Sequence, residues 1–144
     1  MNGIEILKTI VKDGSACTYF GGLMAINRLH FKPKNRVFYI CNTDKWENNG
    51  KHWIVLYFIN GSFEFFDPLG KKPDALFSKF MQKYTDHIIF NKKKLQPINS
   101  NSCGEYCICF ASMRSRDVNF KEIIKYMYKE KNVLDYVNDL TSSY

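Results

Sequence analysis

Four residues of this chain, His52, Asp67, Gln96 and Cys103, are of the types that thiol-based acyl chemistry uses. That chemistry needs a thiolate nucleophile, an imidazole to share and return its proton, a group that orients the imidazole, and donors for the oxyanion formed on the attacked carbonyl. Cys103 lies where the polar segment "LQPINSNS" gives way to an apolar run reaching Ala111. A helix starting there puts the sulfur at the positive end of the helix dipole, which can lower a thiol pKa from ~8.5 into the range of roughly 3.5 to 7.5. Gly104 allows a close approach of backbone to substrate. Gln96 is separated from Cys103 by Pro97 and a turn-forming stretch that can fold its amide back beside the Cys103 backbone N–H, as an oxyanion donor.

The imidazole and the acid must come from elements that bring them together. The runs "HWIVLYF" (His52 to Phe58) and "SFEFF" (Ser62 to Phe66) flank Asn60-Gly61, a pair suited to a type I′ hairpin turn because both central positions need positive φ. Pairing the strands antiparallel sets the start of the first beside the end of the second, so His52 and Asp67 come within reach by local geometry. Glu64, on the same strand as the acid, is the rival carboxylate and sits deeper along it.

The remaining elements follow from periodicity and punctuation. Asn2 caps a first helix whose apolar face is Ile4, Leu7, Ile10 and Val11, with Gly14 as its stop. "RVFYIC" from Arg36 to Cys41 is a strand, and "NTDKWENNGK" is a loop. Pro73 opens a helix carrying Leu76, Phe77, Phe80, Met81 and Tyr84, and "HIIFN" from His87 to Asn91 is a further strand. Asn119 with Glu122 resembles a capping box before Ile123, Ile124, Met127 and Tyr128, and a last short helix holds Val133, Leu134, Val137 and Leu140. The expected fold class is α+β, a mixed or antiparallel central sheet flanked by helices.

At 144 residues, 45% apolar and 16% aromatic, the chain suits one domain over residues 1–144 with a real core. It shows no apolar run of membrane-spanning length and no apolar signal core, so a soluble protein of a reducing intracellular compartment, with no membrane partner, is expected. Five cysteines, an odd number, favour free thiols over a disulfide framework. Cys107 and Cys109 read as core thiols, Cys17 and Cys41 as structural. Cys103, Cys107 and Cys109 lack the spacing and the histidine of a zinc set, so no metal is expected. His30 and His87 are given no role. The formal charge of +7 gathers at Lys32, Lys34 and Arg36, at Lys71 and Lys72, at Lys92 to Lys94, and at Arg114 and Arg116. Such clusters either solvate the surface or meet a polyanion, nucleic acid first.

The segments "GKHW", "FFDPLG" and "LQPINSNSCGEYC" resemble, in order and spacing, the adenain-like cysteine peptidases, the adenovirus maturation protease family. "LKTIVKD", Tyr19-Phe20 and Asn42-Thr43 extend the likeness over about residues 4 to 112. The resemblance implies the adenain-like, papain-type fold and an endopeptidase cleaving viral or virus-like structural precursors during particle maturation. Carried over, Cys103 is the nucleophile, His52 the acid and base, Asp67 the orienting carboxylate and Gln96 an oxyanion donor, with Trp53 packed near the imidazole. It further implies polypeptide substrates, a host nucleus, cytoplasmic virus factory or virion as the site of action, and activation by DNA, a viral peptide or both in place of a metal or organic cofactor; a monomer is expected, though no residue of the sequence specifies it. The adenoviral type of disulfide tether to such a peptide is not expected, since Lys83 to Leu95 contains no cysteine. Two alternatives stand beside this reading. SUMO-specific proteases share the residue order but typically place the Gln one residue nearer the Cys; a basic nucleic-acid-binding module with a vestigial site is the other.

Overall fold

A computed structural model describes residues 1–29, 35–43, 52–97 and 99–142. His30, Lys32, Lys34 and the greater part of the "NTDKWENNGK" loop lie outside the described residues. The elements run α1 (Gly3–Lys12), α2 (Gly14–Tyr19), β1 (Phe20–Ala25), a 3₁₀ turn (Ile26–Arg28), β2 (Arg36–Asn42), β3 (Trp53–Ile59), β4 (Ser62–Phe66), α3 (Ala75–Gln82), β5 (Ile88–Phe90), α4 (Cys103–Ser115), α5 (Phe120–Tyr126) and α6 (Glu130–Ser142). None of the described helices is long and apolar enough to cross a membrane.

The five strands form one mixed sheet in sequence order. β1 pairs β2 and β4 pairs β5 in parallel, while β2, β3 and β4 are antiparallel neighbours. The α+β class and the mixed, helix-flanked sheet are therefore as the sequence suggests. β3 reads as one unbroken apolar run because both its faces are covered. Trp53, Val55, Tyr57 and Ile59 point to the side of α1, α4, α5 and α6, and Ile54 and Leu56 to the side of α3 with Phe77, Phe80 and Met81. The turn has Asn60 at φ 53° and Gly61 at φ 76°, both positive as a type I′ turn requires.

Several expectations about local structure are corrected. Asn2 does cap α1 with a reciprocal box to Glu5, but the helix buries Ile6 and Ile10 and exposes Ile4, Leu7 and Val11. Apolar residues ring this helix, and periodicity could not say which stripe meets the sheet. Gly14 starts α2 instead of ending α1, because the Asp13 carboxylate accepts from the N–H groups of Ser15 and Ala16 and caps a second helix at once. Pro73 precedes α3, whose cap is Asp74. β1 went unread: "FGGLMA" carries two glycines and no β-branched residue, and pairing with β2 outweighs that weak propensity.

Candidate active site

The end of the sheet where β3 begins and β4 stops receives the N-terminus of α4. The hairpin ladder ends with Val55 opposite Phe66, so His52, just before β3, and Asp67, just after β4, leave the sheet at the same end and meet there. His52 Nε2 lies 2.6 Å from Asp67 Oδ1. The other ring nitrogen, Nδ1, is left to the thiol, and His52 is hydrogen-bonded to Cys103 as well.

Asp67 is 4% exposed and tightly held. Its Oδ1 also accepts from the Leu69 N–H at 2.8 Å, and its carbonyl accepts from Gly70 N–H at 2.8 Å, so "DPLG" is the turn its composition suggests. Gly70 has φ +71°, and a Cβ there would come within 2.5 Å of the Lys93 backbone. Asn91, at the end of β5, grips the same residue from the other side: its Oδ1 accepts from the Asp67 N–H at 3.0 Å and its Nδ2 donates to the Asp67 carbonyl at 2.6 Å. Sequence reasoning missed Asn91, since one Asn after an apolar strand carries no signal of its partner. The rival Glu64 faces the opposite side of β4 and is engaged by Arg114 through Nε at 2.8 Å and Nη2 at 3.1 Å.

Cys103 is the first residue of α4 and is 7% exposed. Burial alone would raise its pKa, yet hydrogen bonds from His52 and from the Trp53 N–H, with the charge of His52, bring it below the ordinary thiol value. Burial likewise opposes a charge on His52, and its hydrogen bonds to Asp67 and Cys103 overcome that, raising its pKa to about 9. Both shifts run in the direction that favours a thiolate–imidazolium pair over a neutral thiol and imidazole. The other buried thiols go in the opposite direction: burial pushes Cys109 up to about 12, and Cys41 and Cys107 are also raised. Cys41, Cys107 and Cys109 are core residues at 0% exposure, whereas Cys17 is exposed and does not pack as a structural core thiol.

Gln96 is buried in the segment that joins these parts. The N–H groups of Leu95 and Gln96 both donate to the Pro68 carbonyl, at 2.9 and 3.0 Å, and the Tyr106 hydroxyl donates to the Leu95 carbonyl at 3.2 Å. The segment is thus pinned between the turn after Asp67 and the first turn of α4. The Gln96 Nε2 donates to the Ser100 carbonyl at 2.7 Å, leaving one amide hydrogen uncommitted by that bond, while Oε1 is buried without a partner.

The basic clusters divide. Lys71 and Lys72, with Thr43 and Phe77, line a pocket of ≈ 230 Å³ behind His52 and Asp67. Lys92, Lys93, Lys121 and Lys125 rim an apolar groove of ≈ 670 Å³ between β5 and α5, with Asn91 in its wall. Arg114 and Arg116, counted in the sequence as one surface cluster, are instead structural: each engages a buried carboxylate, Glu64 and Asp13 respectively. Among the described residues no group of His, Cys, Asp and Glu side chains could hold a metal ion.

No protein-family model matches the chain. In an alignment 87 residues long, which covers 49% of this chain and 43% of the relative, it is 31% identical to a protein named Protease from Bovine adenovirus 7. A crystal structure of the ASFV protease superposes with a TM-score of 0.58 at 17% identity, covering 86% of this chain and 60% of that one. AvrA, solved with IP6 and CoA, superposes with a TM-score of 0.52 at 13% identity over 92% of this chain and 56% of its own. At such identities the two structures speak for the fold, and the adenovirus relative speaks for the sequence. This chain is therefore similar in sequence to an adenovirus protease over about half its length, and similar in fold to the ASFV protease.

Proposed function

We propose that the chain is a cysteine endopeptidase with Cys103 as nucleophile, His52 as acid and base, Asp67 as the orienting carboxylate, and Gln96 with the Cys103 N–H as oxyanion donors. The observation that carries this reading is one imidazole bonded on one side to a buried carboxylate at 2.6 Å and on the other to a thiol of lowered pKa at a helix N-terminus. The Cys103 thiolate adds to the scissile carbonyl carbon, and the π electrons move to oxygen, which the donors receive. Collapse of this adduct breaks the C–N bond as His52 Nδ1 gives its proton to the leaving amine. A thioester remains. The imidazole, now neutral, takes a proton from water, and the hydroxide attacks the thioester carbonyl. The second adduct expels the thiolate, and the carboxylic acid product leaves. Asp67 holds the ring through Nε2 throughout and favours the imidazolium.

Among polypeptide substrates, the sequence likeness to an adenovirus protease favours precursors of virus-like particles, cleaved beside small residues, over a ubiquitin-like modifier. The Gln-to-Cys interval points the same way. DNA is the activating polyanion we favour, at the lysine-rimmed groove whose wall includes Asn91, the residue that grips Asp67. The decisive assay is cleavage of a Gly-Gly-containing peptide panel by wild type, Cys103→Ala and His52→Ala, with and without DNA at two salt concentrations. Cleavage by wild type alone supports the peptidase reading, and salt-sensitive stimulation supports the DNA reading. A wild type that cuts nothing and resists a thiol-directed probe contradicts both.

A further inference from the structure

Ser102 is the residue before α4, where a serine ordinarily turns its hydroxyl back onto the N–H groups of the first turn. Here it makes no such cap. Its Oγ donates instead to Glu130 Oε2 at 2.9 Å, the first residue of α6 and 28 positions away in the chain. Ser100 Oγ donates to the same carboxylate oxygen at 2.8 Å. The two hydroxyls also meet each other, and the Ser102 N–H donates to Ser100 Oγ at 3.2 Å. One carboxylate thus fastens both serines of the segment that leads into Cys103.

The same Ser100 whose hydroxyl is fastened offers its carbonyl to Gln96 Nε2 at 2.7 Å. That bond decides which way the amide faces. Turning the amide over would set Oε1 against the Ser100 carbonyl, two acceptors in contact, so the N–H₂ group stays on the Ser100 side even though Oε1 is left buried without a donor. An orphaned buried acceptor is unfavourable, so something must hold this orientation. We infer that Glu130 is a positioning residue: through Ser100 and Ser102 it fixes the segment that aims the Gln96 amide and keeps the Ser102 hydroxyl away from the backbone amides at the start of α4.

This inference rests on the proposed oxyanion role of Gln96, and the test separates the two. Alkylation of Cys103 by iodoacetamide needs the thiolate but builds no oxyanion; peptide hydrolysis and capture by a peptide aldehyde need both. Glu130→Ala is expected to lower kcat by about 10- to 100-fold with little change in KM and to weaken aldehyde binding comparably, while leaving the rate and pH profile of alkylation as in wild type. Glu130→Gln, which keeps an acceptor for both hydroxyls, is expected to restore most of the loss. Adding Glu130→Ala to Gln96→Ala is expected to cost less than it does alone. Ser100→Ala repeats the test should Glu130→Ala fold poorly, as judged by thermal unfolding. Unchanged kcat in Glu130→Ala, or alkylation falling in step with kcat, overturns the inference. If Gln96→Ala itself leaves kcat intact while Cys103→Ala is inert, the oxyanion reading fails, and the positioning role falls with it.

Discussion

Helix α4 carries a buried carboxylate partner at each end, and the two ends are built differently. At its N-terminus Asp67, 4% exposed, faces a single titratable imidazole, and beyond that a thiol. At its C-terminal half Asp13, 2% exposed, is enclosed by donors that do not titrate near neutrality: Arg116 through Nη1 at 2.9 Å and Nη2 at 2.8 Å, the Ser112 hydroxyl, and the N–H groups of Ser15 and Ala16. Burial alone would raise the Asp13 pKa, and these bonds with the Arg116 charge bring it below the ordinary value instead. The partner at one end is an imidazole, which can exchange a proton near neutrality; the partner at the other is a guanidinium, which does not. The lesson is that a buried acid becomes chemistry or scaffold according to whether its partner can exchange a proton.

The contrast is broken most sharply by Cys103→Ala, which should abolish cleavage while leaving thermal unfolding close to that of wild type, since only one sulfur atom is removed. Asp67→Asn should reduce kcat on the order of 10²- to 10⁴-fold, because the amide no longer stabilises the imidazolium. Its His52 pKa, followed by NMR, should drop from about 9. Asp13→Asn should do the reverse, lowering stability to urea by about 2 kcal/mol, moderated because Arg116 is partly exposed, with kcat for the folded fraction within a few-fold of wild type. Because the folded Asp13 pKa is depressed, its contribution is present above the unfolded value of ~3.9 and disappears as pH falls through the folded one. Acid unfolding curves of wild type and Asp13→Asn should therefore converge at low pH. Smallest in effect is the alkaline limb of activity, which should decline through about pH 9 as His52 loses the proton owed to the leaving amine.

What was legible in the sequence is local. The hairpin announced itself through Asn60-Gly61, and with it the meeting of His52 and Asp67. The start of α4 at Cys103 was visible as a change from polar to apolar composition. Contacts between residues distant in the chain were not. Asn91 reaches Asp67 across 24 positions, Ser102 reaches Glu130 across 28, and Arg116 reaches Asp13 across 103, and no spacing rule encodes such pairs. For the same reason Arg114 and Arg116 looked like surface charge. The exposed stripe of Ile4, Leu7 and Val11 misled because helical periodicity finds a face without naming its neighbour.

The central claim is that Cys103 and His52 share a proton as a thiolate–imidazolium pair. It is tested most directly by the pH dependence of Cys103 alkylation in wild type and in His52→Ala. Wild type should react with a midpoint below the ordinary thiol value of ~8.5, and His52→Ala should shift that midpoint upward, toward or beyond it. A wild-type thiol that titrates like a free cysteine, unmoved by loss of His52, would contradict the account.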